Sequence, residues 1–309
     1  MARRTGLVPE GLTAYRLIHG EGDGVPALSV DRYGEYLVAQ VFSPAIEPHL
    51  PAIYDALEST VRPRGIYAQS RQRPQAGEGK QPPATLQRGI AAPVELEVTE
   101  EGLRFFVDVT APLGTGLFLD LRRGRALVAA HARDRRFLNL FSYTGAFSVH
   151  AARGGAREIV AVDLAQRAHA RARRNFELNA LGAVPHEAIA GDAFKVLARM
   201  AERGRKFDLA VVDPPSFAQG KAGAFSVQRD YPELVEATLR VCAPGARVAF
   251  VSNTHKVRPE ELDRAIGVGA FRAGREVRII DRVGLPPDFP LPAGYIDGHY
   301  LKFFLAVVE

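Results

Sequence analysis

The chain reads as an α/β protein: an open, doubly wound sheet of seven strands preceded by a small α+β module. Three observations predict this. Residues 137–163, FLNLFSYTGAFSVHAARGGAREIVAVD, run as apolar strand, tight turn, small-residue helix and second strand ending in an acid. Strand and helix patterns then alternate through residue 212, as βαβ units require. The first 110 residues instead show alternating patterns broken by short turns, which is the signature of antiparallel pairing.

In order, Leu28–Val30, a turn at Arg32-Tyr33-Gly34 and the alternating run Tyr36–Phe42 predict a hairpin. Leu50, Ile53, Leu57 and Val61 give 46–61 a helical period, and 65–69 reads as a further strand. Residues 71–89, rich in Pro and Gly, read as a loop. Residues 94–109 predict a second hairpin turning at Glu101-Gly102. A helix over 120–131 leads into strand 137–141, helix 145–153, strand 158–162, helix 165–180, strand 186–190, helix 193–202 and strand 207–212. After the DPPSF segment at 213–217 come helix 231–240, strand 247–252, helix 259–270 and strands 275–281 and 300–308. Two domains follow: a small α+β substrate-side domain over 1–110 and a larger α/β domain over 111–309.

Composition narrows the class. Of the residues, 47% are apolar, enough for a sizeable core, yet no run approaches the ~18 apolar residues of a membrane span. The start, MARRTGLVPEGL, lacks the apolar stretch of a signal peptide. A single cysteine, Cys242, excludes an internal disulfide framework and fits a cytoplasmic setting. The net charge of +5 is compatible with an RNA partner without requiring one. No clustered metal-ligand pattern is present, and no metal is expected.

The glycine pattern is not that of a dinucleotide site. Only Gly145 stands in the turn, so no phosphate-cradling run exists and a ligand without phosphate is expected. Asn139 and Phe141 lie at the carboxyl end of the first strand, where open α/β sheets bind ligands, and Tyr143, Thr144 and Gly145 form the turn. Asp163, at the end of the second strand, has a carboxylate able to accept both hydroxyls of a ribose. Asp192, in Gly191-Asp192-Ala193-Phe194, reads both as a helix N-cap and as a ligand contact.

On these residues and the DPPSF element the chain resembles the class I S-adenosylmethionine-dependent methyltransferases. Within them it is similar to bacterial enzymes that modify 23S ribosomal RNA of the large subunit. The likeness runs from about Thr13 to the C-terminus and implies a seven-stranded, Rossmann-like domain. It also implies S-adenosyl-L-methionine as cofactor and S-adenosyl-L-homocysteine as product. By the same resemblance Asp192 contacts the adenine amino group, with Ala193 and Phe194 lining the ring. Residues 114–122, GTGLFLDLR, resemble a KTGxFLDQR element that closes over the cofactor, which carries over Phe118, Asp120 and Arg122; Gly114 and Leu121 depart from it. Arg122 is expected to pair with the cofactor carboxylate or to be a plain surface arginine. Relatives of this kind often begin with an RNA-binding PUA domain, and this chain is expected to lack it.

DPPSF supplies the expected reaction centre. Two prolines hold the backbone extended, so Asp213 and the Pro214 carbonyl can accept from a base; Ser216 completes the segment and Phe217 can stack. Carbon-5 methylation of a pyrimidine needs a covalent adduct, usually through a thiolate. Cytosine-modifying relatives carry a cysteine in an FSCS-like segment, where this chain has Phe250-Val251-Ser252-Asn253-Thr254-His255. Guanine-N7 relatives carry a DAFDVQRDH-like stretch and FSNN, against AFSVQRDY at 224–231 and VSN at 251–253 here. Gln228, Arg229 and Asn253 are the expected base or phosphate contacts. The DHP…YLK ending of the cytosine branch is echoed at 286–302, where His299 and Tyr300 are candidate pocket residues.

The favoured reading is an enzyme that methylates a base of large-subunit ribosomal RNA, guanine first, without a covalent cysteine intermediate. Cytosine-5 methylation, a small-molecule or protein acceptor, and a non-catalytic binding protein are the alternatives. Arg62, Arg64, Arg71, Arg73, Lys80 and Arg88 are candidates for gripping RNA backbone or are simply solvated. The ribosomal RNA or the large subunit is the expected partner, no membrane is, and the oligomeric state is not readable.

Overall fold

The structure, a computed structural model, describes residues 6–72, 81–112, 114–220 and 223–309, with side chains described outside 217–227. The chain divides into two compact units: Met1–Arg122 with Pro286–Tyr295, and Arg123–Leu285 with Ile296–Glu309. Residues 111–122 and 286–295, which sequence pattern alone assigns to the larger domain, thus cluster with the smaller unit.

The first unit is built on a five-stranded sheet of β1 (Ala14–His19), β2 (Leu28–Tyr33), β3 (Tyr36–Val41), β4 (Gly65–Ser70) and β5 (Thr85–Gly89), in that spatial order. The β3–β4 pair is parallel, joined through helix α1 (Leu50–Val61), and the other pairs are antiparallel. Strand alternation sends Leu28, Val30, Leu37, Ala39 and Ile66 into a core with Tyr54 and Leu57 of α1. The alternate residues Ser29 and Asp31 are buried too, and there the chemistry is polar. Asp31 accepts from Arg16 Nε at 2.5 Å and from Gln40 at 2.9 Å, while the Arg16 backbone N–H donates to Asp288 at 2.9 Å. Burial pushes the Asp31 carboxyl above its usual range, and the Arg16 guanidinium pulls it back. A separate hairpin, β6 (Leu96–Glu100) and β7 (Leu103–Val107), turns at Glu101 and Gly102.

Three expectations are corrected here, and one strand was not foreseen. β1 has no counterpart in the sequence reading. The first hairpin turns after Tyr33, which pairs with Tyr36, so β2 is longer than Leu28–Val30. The helix over 46–61 is α-helical only from Leu50, because Pro48 and Pro51 hold Pro44–His49 as a 3-10 turn. The loop over 71–89 ends in β5, an edge strand with mostly exposed side chains and therefore no hydrophobic signature.

The second unit opens at Arg123, the second residue of α2 (Arg122–Ala130). Next come β8 (Arg136–Leu140), α3 (Ala146–Arg153), β9 (Glu158–Asp163), α4 (Gln166–Leu178), β10 (His186–Ala190), α5 (Ala193–Glu202) and β11 (Phe207–Val212). A short hairpin of β12 (Phe217–Gly220) and β13 (Gly223–Ser226) follows, then α6 (Val227–Arg240), β14 (Cys242–Ser252), α7 (Pro259–Ala273), β15 (Val277–Val283) and β16 (Lys302–Val308). Sheet order is β10-β9-β8-β11-β14-β16-β15, with β16 antiparallel between β14 and β15. The seven-stranded α/β expectation is met. Strand order reverses between β8 and β11, so the carboxyl edge opens a crevice there.

One sheet face buries Leu138, Leu140, Val160, Val162, Val212 and Phe250 against Leu197 of α5, Leu234 and Val235 of α6 and Ile266 of α7. Each such side chain contributes about 1.5–3 kcal/mol of transfer free energy. Gly269 lets α6 and α7 touch, since a Cβ there would lie 2.5 Å from the Val235 Cβ. The segment after β11 departs from expectation: it forms the β12–β13 hairpin, and α6 starts at Val227, four residues before the expected 231. Among the described residues no helix is long and apolar enough to cross a membrane.

Candidate active site

The turn after β8 is held against its own backbone preferences. Phe141, Tyr143 and Gly145 have φ of 59°, 47° and 77°, three left-handed residues within five. Each non-glycine one costs on the order of 1 kcal/mol, so surrounding contacts must hold it. Ser142 N–H donates to the Val162 carbonyl at 3.0 Å, Tyr143 N–H to Asp163 Oδ2 at 2.8 Å, and Asn175 of α4 to the Thr144 carbonyl at 3.1 Å. A Cβ on Gly145 would lie 2.7 Å from the Ala172 Cβ, so this glycine is demanded by helix contact as well as by φ. Asn139 is buried and ties β8 to α3 through Ser148 Oγ at 2.9 Å.

Asp163 sits at the focus of this turn. Its two oxygens accept Ala165 N–H at 2.9 Å and Tyr143 N–H at 2.8 Å, and each keeps a lone pair for a further donor. Its backbone carbonyl accepts Gly191 N–H at 3.0 Å, which brings Asp163 and the Gly191–Phe194 segment together. Asp192 caps α5 by accepting Lys195 N–H at 3.1 Å; Ala193 is buried, and Phe194 packs on the core. Ser142 Oγ is buried with no hydrogen-bond partner among the described residues, an unsatisfied polar atom at the very turn where a ligand's polar end is expected. Asn139, Phe141, Tyr143, Thr144, Gly145, Asp163, Asp192, Ala193 and Phe194 thus gather along the carboxyl edge of β8, β9 and β10. Together with that unsatisfied hydroxyl they suit a nucleoside carrying a polar tail.

Phe118, Asp120 and Arg122 belong to the first unit. Phe118 is exposed and Asp120 half-buried. Arg122 is no surface arginine: it is 2% exposed and ion-paired with the fully buried Asp288, 166 residues away. Its Nη1 is buried without a hydrogen-bond partner among the described residues.

On the other side of the switch point, Asp213 and Pro214 leave β11 half-buried and buried. Ser216 Oγ donates to Asn253 Oδ1 at 3.1 Å, closing the DPPS segment onto the end of β14. The Phe217 side chain lies outside the described residues. Gln228 and Arg229 are exposed and engaged elsewhere: Gln228 donates to the Lys256 carbonyl at 3.0 Å, and Arg229 pairs with Asp230 at 2.7 Å. His299 is exposed and Tyr300 half-buried. Cys242 occupies the opposite end of β14, level with Phe207 and about 17 Å from the Val212–Phe250 pair at ~3.3 Å per strand residue of β11. It is 1% exposed, lies 3.3 Å from the Thr238 carbonyl, and burial pushes its thiol up to about 12.

Two residues here escaped the sequence reading. His169 Nε2 lies 3.2 Å from both the Asp163 and Ile189 carbonyls, bridging the ends of β9 and β10. Lys302, buried at the start of β16, donates to the carbonyls of Thr254 and, at 2.7 Å, Tyr300. Burial lowers its ammonium to about 8. The readable signal was a polar residue inside an apolar pattern: His169 on the inward face of α4, and Lys302 beside FFLAVV. Of the loop cations, Arg64 pairs with Glu35, and Arg88 with Asp55 and Glu58, while Arg73 and Lys80 lie outside the described residues.

Comparison with known proteins agrees with this geometry. A family profile described as S-adenosylmethionine-dependent methyltransferase matches residues 15–299. A protein named ribosomal RNA large subunit methyltransferase I from Klebsiella pneumoniae (strain 342) is 35% identical over 295 residues, covering 96% of this chain and 74% of that protein. One of the same name from Salmonella arizonae is 36% identical over 298 residues, covering 96% and 73%. The crystal structure of SMU.776 complexed with SAH superposes with a TM-score of 0.90 at 28% identity, covering 99% of this chain and 78% of that one. With the Asp163-centred turn at the sheet's switch point, these matches establish that the chain belongs to the S-adenosylmethionine-dependent methyltransferase family.

Proposed function

We propose that this methyltransferase modifies a base of large-subunit ribosomal RNA, guanine first, by direct in-line transfer. The observation that carries the mechanism is the Ser216–Asn253 contact at the reaction edge, with the chain's one cysteine sealed at the far end of the same strand. S-adenosylmethionine supplies an electrophilic methyl group on a positively charged sulfur. Asp163 would accept from the ribose of the bound cofactor, Asp192 and Phe194 would flank its adenine, and the 141–145 turn, with Ser142, would meet its methionine end. Asp213, the Pro214 carbonyl and Asn253 offer acceptors and a side-chain amide to the base edge and orient its nucleophilic atom. A ring nitrogen with a free lone pair needs no general base, and alignment alone supplies several kcal/mol. A protonated, buried thiol has no route to a pyrimidine carbon. The ribosomal RNA acceptor is supported by the names of the relatives and by the net charge of +5.

The test is methyl transfer from labelled cofactor to unmodified ribosomal RNA and to intact large subunits, followed by nucleoside mass spectrometry. Labelled guanosine is the expected product. Labelled 5-methylcytidine would overturn the direct-transfer mechanism, and absence of transfer to either acceptor would overturn the RNA substrate.

A further inference from the structure

Tyr231 of α6 is 1% exposed among Leu234, Val235 and Phe250. A phenol so placed must satisfy its hydroxyl. The hydroxyl donates to the Val251 carbonyl at 2.9 Å and lies 3.4 Å from the Val212 carbonyl. Val212 immediately precedes Asp213, and Val251 stands two residues before Asn253. The parallel β11–β14 register ends at Val212 opposite Phe250, so beyond that pair, among the described residues, no ladder bond holds the two strands at a set distance. The segments leaving them meet again through Ser216 and Asn253 at 3.1 Å. Backbone and hydrogen bonds therefore close a ring, with the acceptor-facing residues on its rim and one phenol at its base. Burial, reinforced by the charge of Asp213, keeps the phenol protonated far above its ordinary range, so it stays a donor at working pH.

We propose that Tyr231 is a positioning residue for methyl transfer: its hydroxyl sets the spacing of the Asp213–Ser216 and Ser252–Asn253 segments, and with it the alignment of the acceptor atom. The proposal rests on reading those segments as the reaction centre. Misplacement on the order of 1 Å at a reacting group costs up to about 100-fold in rate.

The full chain is tested as Tyr231→Phe, Ser216→Ala and the double variant, with unmodified ribosomal RNA. Tyr231→Phe is expected to lower the single-turnover rate about 10–100-fold while cofactor affinity by calorimetry stays within about twofold. Amide exchange should quicken at 252–256 and stay unchanged at 143–145. Ser216→Ala, which cuts the ring at an exposed site without touching the core, should slow transfer less. The double variant should be no slower than Tyr231→Phe, as coupled sites require. A wild-type rate in Tyr231→Phe, or in Ser216→Ala should Tyr231→Phe not fold, overturns the proposal. So does a loss of rate shared with cofactor affinity and melting temperature, which would make Tyr231 a core support only. Wild-type rates in both Asp213→Asn and Asn253→Ala would overturn the reaction-centre reading, and this proposal with it.

Discussion

The carboxyl edge of the seven-stranded sheet is built differently on its two sides. Along β8, β9 and β10 the contacts are mostly backbone to carboxylate or backbone to backbone, and the key acid is clamped by two N–H groups. Along β11 and β14 they run from side chain to side chain or from side chain to carbonyl, as in Ser216–Asn253 and Gln228–Lys256. A small ligand of constant shape rewards a preset backbone, because nothing need reorganise when it binds. A macromolecular acceptor requires groups that can exchange one partner for another, and exposed hydroxyls and amides do so at little cost.

Breaking the first side should give the largest effect. Asp163→Ala removes the acceptor of Tyr143 and Ala165 together with the proposed ribose contact, so cofactor affinity should fall about 100-fold, ~2.7 kcal/mol. Calorimetry checks this, and unchanged affinity would remove Asp163 from the binding site. Asn253→Ala should do the reverse, lowering turnover by about 10-fold or more with cofactor affinity intact. If both variants lose affinity equally, the division between the two sides is wrong.

Acid should act at the amino end of β10, away from the ligand edge. His186 of β10 stacks on Phe176 at 4.3 Å, and burial first, then the neighbouring His169 and Arg173, lower it to about 4 from 6.5. Between those values the unfolded chain binds a proton that the folded chain refuses. Stability is therefore full above about 6.5 and is lost as pH falls toward 4, by ~1–2 kcal/mol after allowance for partial exposure. Denaturant titrations across this window should show a flatter profile in His186→Phe, which keeps a ring on Phe176; an identical slope would remove His186 as the cause. The smallest effect is expected from Cys242→Ser. Turnover should be unchanged, with stability lowered by about 1 kcal/mol for a hydroxyl in an apolar site. A folded but inactive variant would restore a thiolate mechanism.

Local periodicity carried much of the architecture. The apolar runs of β8, β9 and β11, the helix-strand alternation, Asp163 at a strand end and Asp192 at a helix start were all legible. Each depends on residues within a turn or two of one another, where side-chain spacing reports directly on backbone geometry. Tertiary structure decided the rest. β5 was hidden because an exposed edge strand carries no buried face. The strand order was not encoded, since an apolar strand reads alike wherever it lies in the sheet. Arg122 met Asp288 across 166 residues, and Ser216 met Asn253 across 37. Tyr231 and His169 looked like ordinary helix-face residues. They became bridges only once the sheet had set two strand ends side by side, because a hydrogen bond depends on distance in space and a sequence pattern measures distance along the chain.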